Sequence, residues 1–309
     1  MADLAIFTVT VRPTHHDVIP AHTGRAAHAL FLAALRDVDP ILSEIVHGGS
    51  QLRPLTASPL LPAPRGGTIT LAPTQRYTLR FTTLHADLTR LAENALAPRW
   101  LRSGLILHDQ PLRVESIDVR CTSYADLLRN TQTGRRLPRW IALSFNTPTV
   151  IKKTGDIQLP LPVPANIFGS LIDRWMAFAP SEAALPDGLR DWVDRCVSIE
   201  DLNIRSQHVS FERANRGHII GFVGTVTFTA VESSNTFLPA LHALADYAAF
   251  AGVGAKTAMG LGQVVRSAEN APKRSRRYQQ DGASFSGDAG AAPRGDHGRL
   301  RPAERTTPL

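Results

Sequence analysis

The sequence predicts an α+β chain built as two successive βαββαβ halves with a basic tail, and three observations predict it. Strand-period and helix-period segments follow one another in the same order twice. A polar, turn-rich stretch at residues 123–138, with Arg129, Arg135, Arg136 and Pro138, separates the two runs. Beyond Arg266 the composition turns to Ala, Gly, Pro, Ser and Arg with few apolar anchors.

In the first half, residues 4–11 alternate apolar and small polar side chains through Ile6, Phe7, Val9 and Val11, which suits a half-buried strand closed by Pro13. Thr23 can cap a helix running to Arg36, with Ala27, Leu30, Phe31, Ala34 and Leu35 on its apolar face. Asp39-Pro40 breaks that helix and starts a short second one over 41–46, ending at His47-Gly48-Gly49. Residues 52–61 read as extended, and Gly66-Gly67 turns the chain into a longer strand region, 68–83. A helix over 84–97 carries Leu88, Leu91, Ala92 and Ala95 on one side, and strand character returns over 105–122. Strand, helix, strand pair, helix, strand is the ferredoxin-like (RRM-like) βαββαβ order.

The second half repeats it. Residues 140–145 read as a strand, and 166–178 as a helix with Ile167, Leu171, Ile172 and Trp175. Segments 197–211 and 218–231 form a hairpin across Ala214-Asn215-Arg216-Gly217. Then comes 238–265, read as an amphipathic helix, a glycine loop and a strand. The predicted domains are 1–124 and 139–266, and 267–309 is expected to be a disordered tail.

The net charge is +7 and the sequence pI about 10.0, which points to a polyanionic partner. The tail holds eight Lys or Arg against five Asp or Glu, a net of +3, so the remaining +4 belongs to the folded part. Its Lys273-Arg274-Ser275-Arg276-Arg277 run can add non-specific RNA affinity or stand as a solvated charge cluster. Cys121 and Cys196 lie far apart with no metal-ligand spacing, so no disulfide framework, metal site or cofactor is expected. With no basic leader and no apolar run of membrane-spanning length, the expectation is a soluble cytoplasmic protein without a membrane partner.

The glycine loop is the densest motif. Gly252, Gly254, Gly260 and Gly262 bracket Lys256 and Thr257, and glycines so close together allow positive dihedrals and close approach of a polyanion to main-chain N–H groups. A Walker-type loop would run strand, loop, helix with Gly before the Lys, but here Ala255 holds that place and the order is helix, loop, strand. A dinucleotide fingerprint also needs a following helix, and none is evident. A turn with only a packing role is the plain alternative.

The run Phe250-Ala251-Gly252-Val253-Gly254-Ala255-Lys256-Thr257-Ala258-Met259-Gly260-Leu261-Gly262 resembles the C-terminal glycine-rich signature of the RAMP superfamily. Within it, the best match is to the CRISPR-associated endoribonucleases that cut repeat RNA out of a long precursor. The resemblance implies tandem ferredoxin-like domains, CRISPR repeat RNA (pre-crRNA) as partner and metal-independent cleavage. In that chemistry the upstream 2′-hydroxyl attacks, leaving a 2′,3′-cyclic phosphate and a 5′-hydroxyl. It also allows two further assemblies, an effector ribonucleoprotein complex and a homodimer.

The segment from Asp39 to His47, continuing through Arg53, Thr56 and Ser58, resembles the N-terminal pattern of the same enzymes. There a helix-terminal His is the general acid/base and a downstream Lys steadies the phosphate, so the resemblance assigns those roles to His47 and Arg53. Arg in place of Lys keeps the charge and changes its geometry. Where some members carry a tyrosine on the first helix, this chain has Phe31-Leu32, and His28 is the candidate for that role. A histidine among apolar neighbours such as Ala27 and Leu30 also fits simple packing. Arg205, His208, Arg213, Arg216 and His218 populate the second-half hairpin, which the resemblance brings to the base of an RNA stem; a solvated strand face is the plain reading. Lys256 is the residue expected at phosphate. The competing functions are a non-catalytic RAMP subunit that binds guide RNA and a phosphate-binding metabolic enzyme that rests on the glycine loop alone.

Overall fold

In the computed structural model, residues 2–48, 52–62, 67–132, 136–152, 157–209 and 219–267 are described. The 214–217 turn, Arg213, Arg216, His218 and the tail from 268 lie outside them.

The first half begins with β1 (Leu4–Pro13) and β2 (Asp17–Pro20), then α1 (Gly24–Val38), α2 (Pro40–Gly48), β3 (Leu55–Ala57), β4 (Thr68–Leu71) and β5 (Tyr77–Thr83). Helix α3 (Ala86–Leu91) passes through a π turn at Ala92–Leu96 into α4 (Ala97–Ser103), and β6 (Leu105–Leu107), β7 (Gln110–Thr122) and α5 (Tyr124–Thr131) complete it. The π turn sits just before Pro98, whose missing N–H would otherwise break the α-helical ladder. The second half contains β8 (Trp140–Thr149), β9 (Ile151–Lys152), β10 (Gln158–Leu159), α6 (Pro164–Phe178), α7 (Leu189–Cys196), β11 (Val197–Val209), β12 (Ile219–Ala230), α8 (Phe237–Ala251) and β13 (Val264–Arg266).

Each half carries an antiparallel sheet, ordered β3-β5-β1-β7-β6 in the first and β11-β12-β8-β13 in the second. Numbered within its own half, each sheet places its main strands second, third, first, fourth. Strand β1 is central because Phe7, Val9 and Val11 all face a buried layer, where they meet α1 through Ala27, Phe31 and Leu35. Rings of Phe31, Phe81 and Trp100 close that layer at centroid separations of 5.2–6.0 Å.

Three expectations change. The long strand over 68–83 is split, since a turn at Pro73, closed by Gln75 N–H to Ala72 O at 2.9 Å, sends β4 to pair with β2 and β5 to pair with β1. Of the extended 52–61 stretch only β3 is strand. The turn-rich 123–138 stretch contains α5, capped by Ser123 and anchored by fully buried Tyr124, whose hydroxyl donates to Leu84 O at 2.9 Å.

The period of α8 suggests an amphipathic helix, yet it is buried on nearly every side. Its own half contributes β8, β13 and α6, and β1, β3 and β5 of the first half touch it as well, so the described residues of both halves belong to one compact unit. The first half also satisfies the open carbonyls at its C-terminus: Arg80 donates to Ala249 O, and Thr82 Oγ1 to Phe250 O at 2.6 Å. Burial, and then Arg120 nearby, lowers Arg80 to about 10. Among the described residues no helix is long and apolar enough to cross a membrane.

Candidate functional site on the first two helices and the glycine loop

The site grows from the start of α1. Thr23 is fully buried, and its hydroxyl accepts the Leu60 N–H at 2.6 Å instead of capping the helix. That ties the helix entry to the segment carrying Arg53. Gly24 follows at a point where a Cβ would stand 2.2 Å from the Met259 carbonyl oxygen, so only glycine lets α1 rest directly on the glycine loop. One helical turn later comes His28, half-buried, with Nδ1 enclosed and without a hydrogen-bond partner.

His47 is exposed on the last turn of α2, an element anchored by buried Ser43 and Val46. Arg53 is half-buried and donates through Nη1 to the Val46 carbonyl at 2.8 Å, closing one of the open carbonyls at that helix end beside His47. His28 lies within the electrostatic reach of both. Burial foremost, then the Arg53 charge and then His47, lowers its ring to about 4, so it is neutral at neutral pH. The three residues singled out from the sequence as chemical candidates thus share one neighbourhood. Thr56 and Ser58 do not join it: Thr56 shares a 2.7 Å hydrogen bond with Thr82 in the core, and Ser58 Oγ accepts the Arg80 N–H at 2.8 Å.

The glycine loop is locked by its own fold. Gly252, Gly254, Gly260 and Gly262 all have positive φ. A Cβ on Gly262 would meet Val253 O at 2.0 Å, one on Gly254 would meet Val150 O at 2.3 Å, and one on Gly260 would meet the Gly24 Cα at 2.9 Å. The close neighbour that excludes side chains here is protein backbone. Many of the loop's N–H groups are used within the protein as well, Val253 to Gly262 O, Gly254 to Ser170 Oγ, Ala255 to Val150 O and Gly262 to Pro148 O. Thr257 is buried, its methyl group packed toward Gly252 and Gly262.

Lys256 differs. It holds a left-handed conformation (φ 57°), and its side chain is exposed. Burial, followed by the charges of Lys152 and Arg25, lowers its pKa. His22 completes this basic group: its Nε2–H donates to Met259 O at 3.1 Å, and its pKa is lowered mainly by burial, with Lys256 adding to the effect. Arg25 and Lys152 carry no motif: the docking of α1 onto the loop brings Arg25 to Lys256, and the hydrogen bond from Ala255 N–H to Val150 O at 2.8 Å brings the start of β9 and with it Lys152. Arg205 sits exposed on β11, opposite Val223. Among the described residues no group of three or more His, Cys, Asp or Glu is placed to hold a metal ion.

The family model of the CRISPR-associated endoribonuclease Cas6 matches residues 143–264, the region from β8 to β13 that includes the glycine loop. The chain is 24% identical over 159 residues to the CRISPR-associated endoribonuclease Cas6 of Streptococcus thermophilus, covering 51% of this chain and 63% of that protein. It is 30% identical over 126 residues to that of Mycobacterium tuberculosis, covering 41% and 38%. The matched segments therefore span less than two thirds of these curated relatives. Among solved structures, a Thermus thermophilus Cas6 product complex superposes with a TM-score of 0.70 at 29% identity, covering 85% of this chain and 100% of that one. The glycine-loop half that the family model matches, and the fold that extends across both halves, are therefore similar to those of the CRISPR-associated endoribonuclease Cas6.

Proposed function

We propose that this protein is a metal-independent endoribonuclease that cleaves CRISPR repeat RNA to release guide RNAs, and that its halves are tandem ferredoxin-like units. The shared strand order of the two sheets supports the architecture. The carrying observation for the activity is that His28, His47 and Arg53 converge on the two helices whose entry rests on the glycine loop.

The chemistry follows from the three environments. His28 is neutral at physiological pH and its ring is only half-buried, so it is the group assigned to take the proton from the 2′-hydroxyl as that oxygen attacks phosphorus. The P–O5′ bond breaks, and His47, exposed at the end of α2, gives its proton to the departing 5′ oxygen. Arg53, fixed against the helix end, stabilises the extra negative charge of the phosphorane. Lys256, with Arg25 and Lys152 beside it, holds the neighbouring backbone phosphates, and Arg205 with the hairpin beyond it meets the RNA stem. The glycines hold the loop in the shape that presents Lys256.

The test is cleavage of repeat RNA by the purified protein in EDTA, with a ribose and a 2′-deoxyribose at the cut site. Cleavage of the first alone, leaving a cyclic phosphate, is expected. His47→Ala should slow single-turnover cleavage by about 10²–10⁴-fold while RNA binding persists. Cutting of the deoxy substrate refutes the nucleophile, and undiminished cutting by His47→Ala refutes its role.

A further inference from the structure

We propose that Ser170 and Arg174 of α6 form a two-point clamp on the glycine loop, with Arg174 a positioning residue for RNA bound at Lys256. This rests on the functional reading above. The two residues stand one helical turn apart and therefore share a face of α6. Ser170 Oγ accepts the Gly254 N–H at 2.9 Å, and Arg174 Nη2 donates to the Gly254 carbonyl at 3.2 Å. Both polar groups of that one glycine are held from beneath, and its φ of 81° turns the chain toward Lys256, two residues on.

Arg174 is a costly way to hold a loop. The residue is only 4% exposed, and its Nε and Nη1 are buried with no hydrogen-bond partner. The adjacent carboxylate of Asp173 is engaged by Arg190 instead. Tyr247 and Asp173 act on the Arg174 charge from a distance, and burial outweighs both. A buried guanidinium with one hydrogen bond loses more hydration than it recovers, and an apolar side chain of similar length would fill the same space without that loss. The residue is therefore a poor stabiliser of α6. What it supplies is a cation and a directed donor at the carbonyl preceding the Lys256 turn.

The full-length protein and its Arg174→Met, Arg174→Lys and Ser170→Ala variants separate positioning from packing. In Arg174→Met the thermal midpoint should equal or exceed that of the parent. In the RNA-free protein, amide exchange at Gly254 and Ala255 should quicken. Repeat-RNA affinity should fall about tenfold, the scale of one lost hydrogen bond to a charged group, while the single-turnover rate at saturating RNA stays within about twofold. Arg174→Lys should recover most of the affinity, and Ser170→Ala should show a smaller loss of the same kind. Unchanged exchange and affinity in Arg174→Met and Ser170→Ala overturn the clamp. So does a fallen midpoint with affinity and saturating rate lost together, which marks a packing role. If the parent protein itself does not bind repeat RNA, the functional reading fails, and exchange at Gly254 still decides the clamp.

Discussion

Replacing Arg53 with Gln should raise the proton affinity of His28, and the size of the effect on stability can be worked out. In the folded protein burial, Arg53 and His47 together move the His28 ring from an ordinary 6.5 to about 4. The unfolded chain therefore binds more protons between those two values, and stability must fall as pH is lowered through that window. At about 1.36 kcal/mol per pH unit the full difference is about 3 kcal/mol, and about 2 kcal/mol after discounting for the solvent the half-buried ring still meets. Urea unfolding of the parent and of His28→Gln across the same pH range isolates it, because every other titrating group is common to both. The parent should lose about 2 kcal/mol more than the variant on going from pH 6.5 to 4. An NMR titration of His28 should give a value well below 6.5 in the parent and a higher one in Arg53→Gln, since one of the charges opposing protonation has gone. Parallel stability curves, with His28 titrating near 6.5 in both proteins, would falsify the convergence of these three side chains and with it the assignment of His28 as proton acceptor.

Gly24→Ala should push α1 off the glycine loop, because its Cβ would sit 2.2 Å from the Met259 carbonyl. We expect a loss of about 1–3 kcal/mol in unfolding experiments and slower cleavage, whereas Gly48→Ala, with nothing within 4 Å, should change stability by less than about 0.5 kcal/mol. His242 is fully buried; its Nε2–H donates to Pro138 O at 2.8 Å, and its Nδ1 accepts from Arg266 at 2.7 Å. His242→Ala leaves the Pro138 carbonyl unmatched and Arg266 with only its Asp246 ion pair, and should cost about 2–4 kcal/mol by chemical denaturation. Burial holds the His242 pKa down, so its contribution should weaken as pH falls below 6.5. Thr82→Val removes the donor to Phe250 O and should lower stability by about 1–2 kcal/mol, read as a lower denaturation midpoint.

Local periodicity carried a good part of this structure. The main strands of each sheet, α1, α6 and α8, the pairing of β11 with β12, and the short helix carrying His47 are legible in alternation, caps and breakers, whereas β2, α5 and α7 are not. What periodicity could not carry is docking between segments distant in sequence. The apolar pattern of α8 is satisfied by one sheet, and nothing local announces that a second sheet will cover its other side and supply Arg80 and Thr82 to its terminal carbonyls. Arg25 and Lys152 belong to no motif: the approach of Arg25 to Lys256 depends on Gly24 meeting Met259 across more than two hundred residues, and that of Lys152 on Val150 meeting the loop across about a hundred. Arg174 did leave a local signal, since it follows Ile167 and Leu171 on the face of α6 that the core covers. A charge in an apolar stripe marks a group held there for something other than packing.

The glycine loop shows how a binding motif and a folding motif can be the same residues. Dense glycine was expected to clear space for a polyanion, but at Gly254, Gly260 and Gly262 the space is taken by the backbones of Val150, Gly24 and Val253. A loop closed this tightly on itself exposes little main chain, so under the proposed function the contact with RNA falls to side chains carried at its rim. Lys256 is such a residue, and its left-handed backbone is strained for a side chain that could have been placed elsewhere at lower cost. The same contacts bind α1, and therefore His28, to the loop. Under the proposed function, gripping a phosphate at Lys256 and moving a proton at His28 would be two uses of one junction, with Gly24 at its centre. Displacement of α1 should impair both, whereas loss of the Lys256 amine alone should weaken RNA binding and leave the saturating cleavage rate intact.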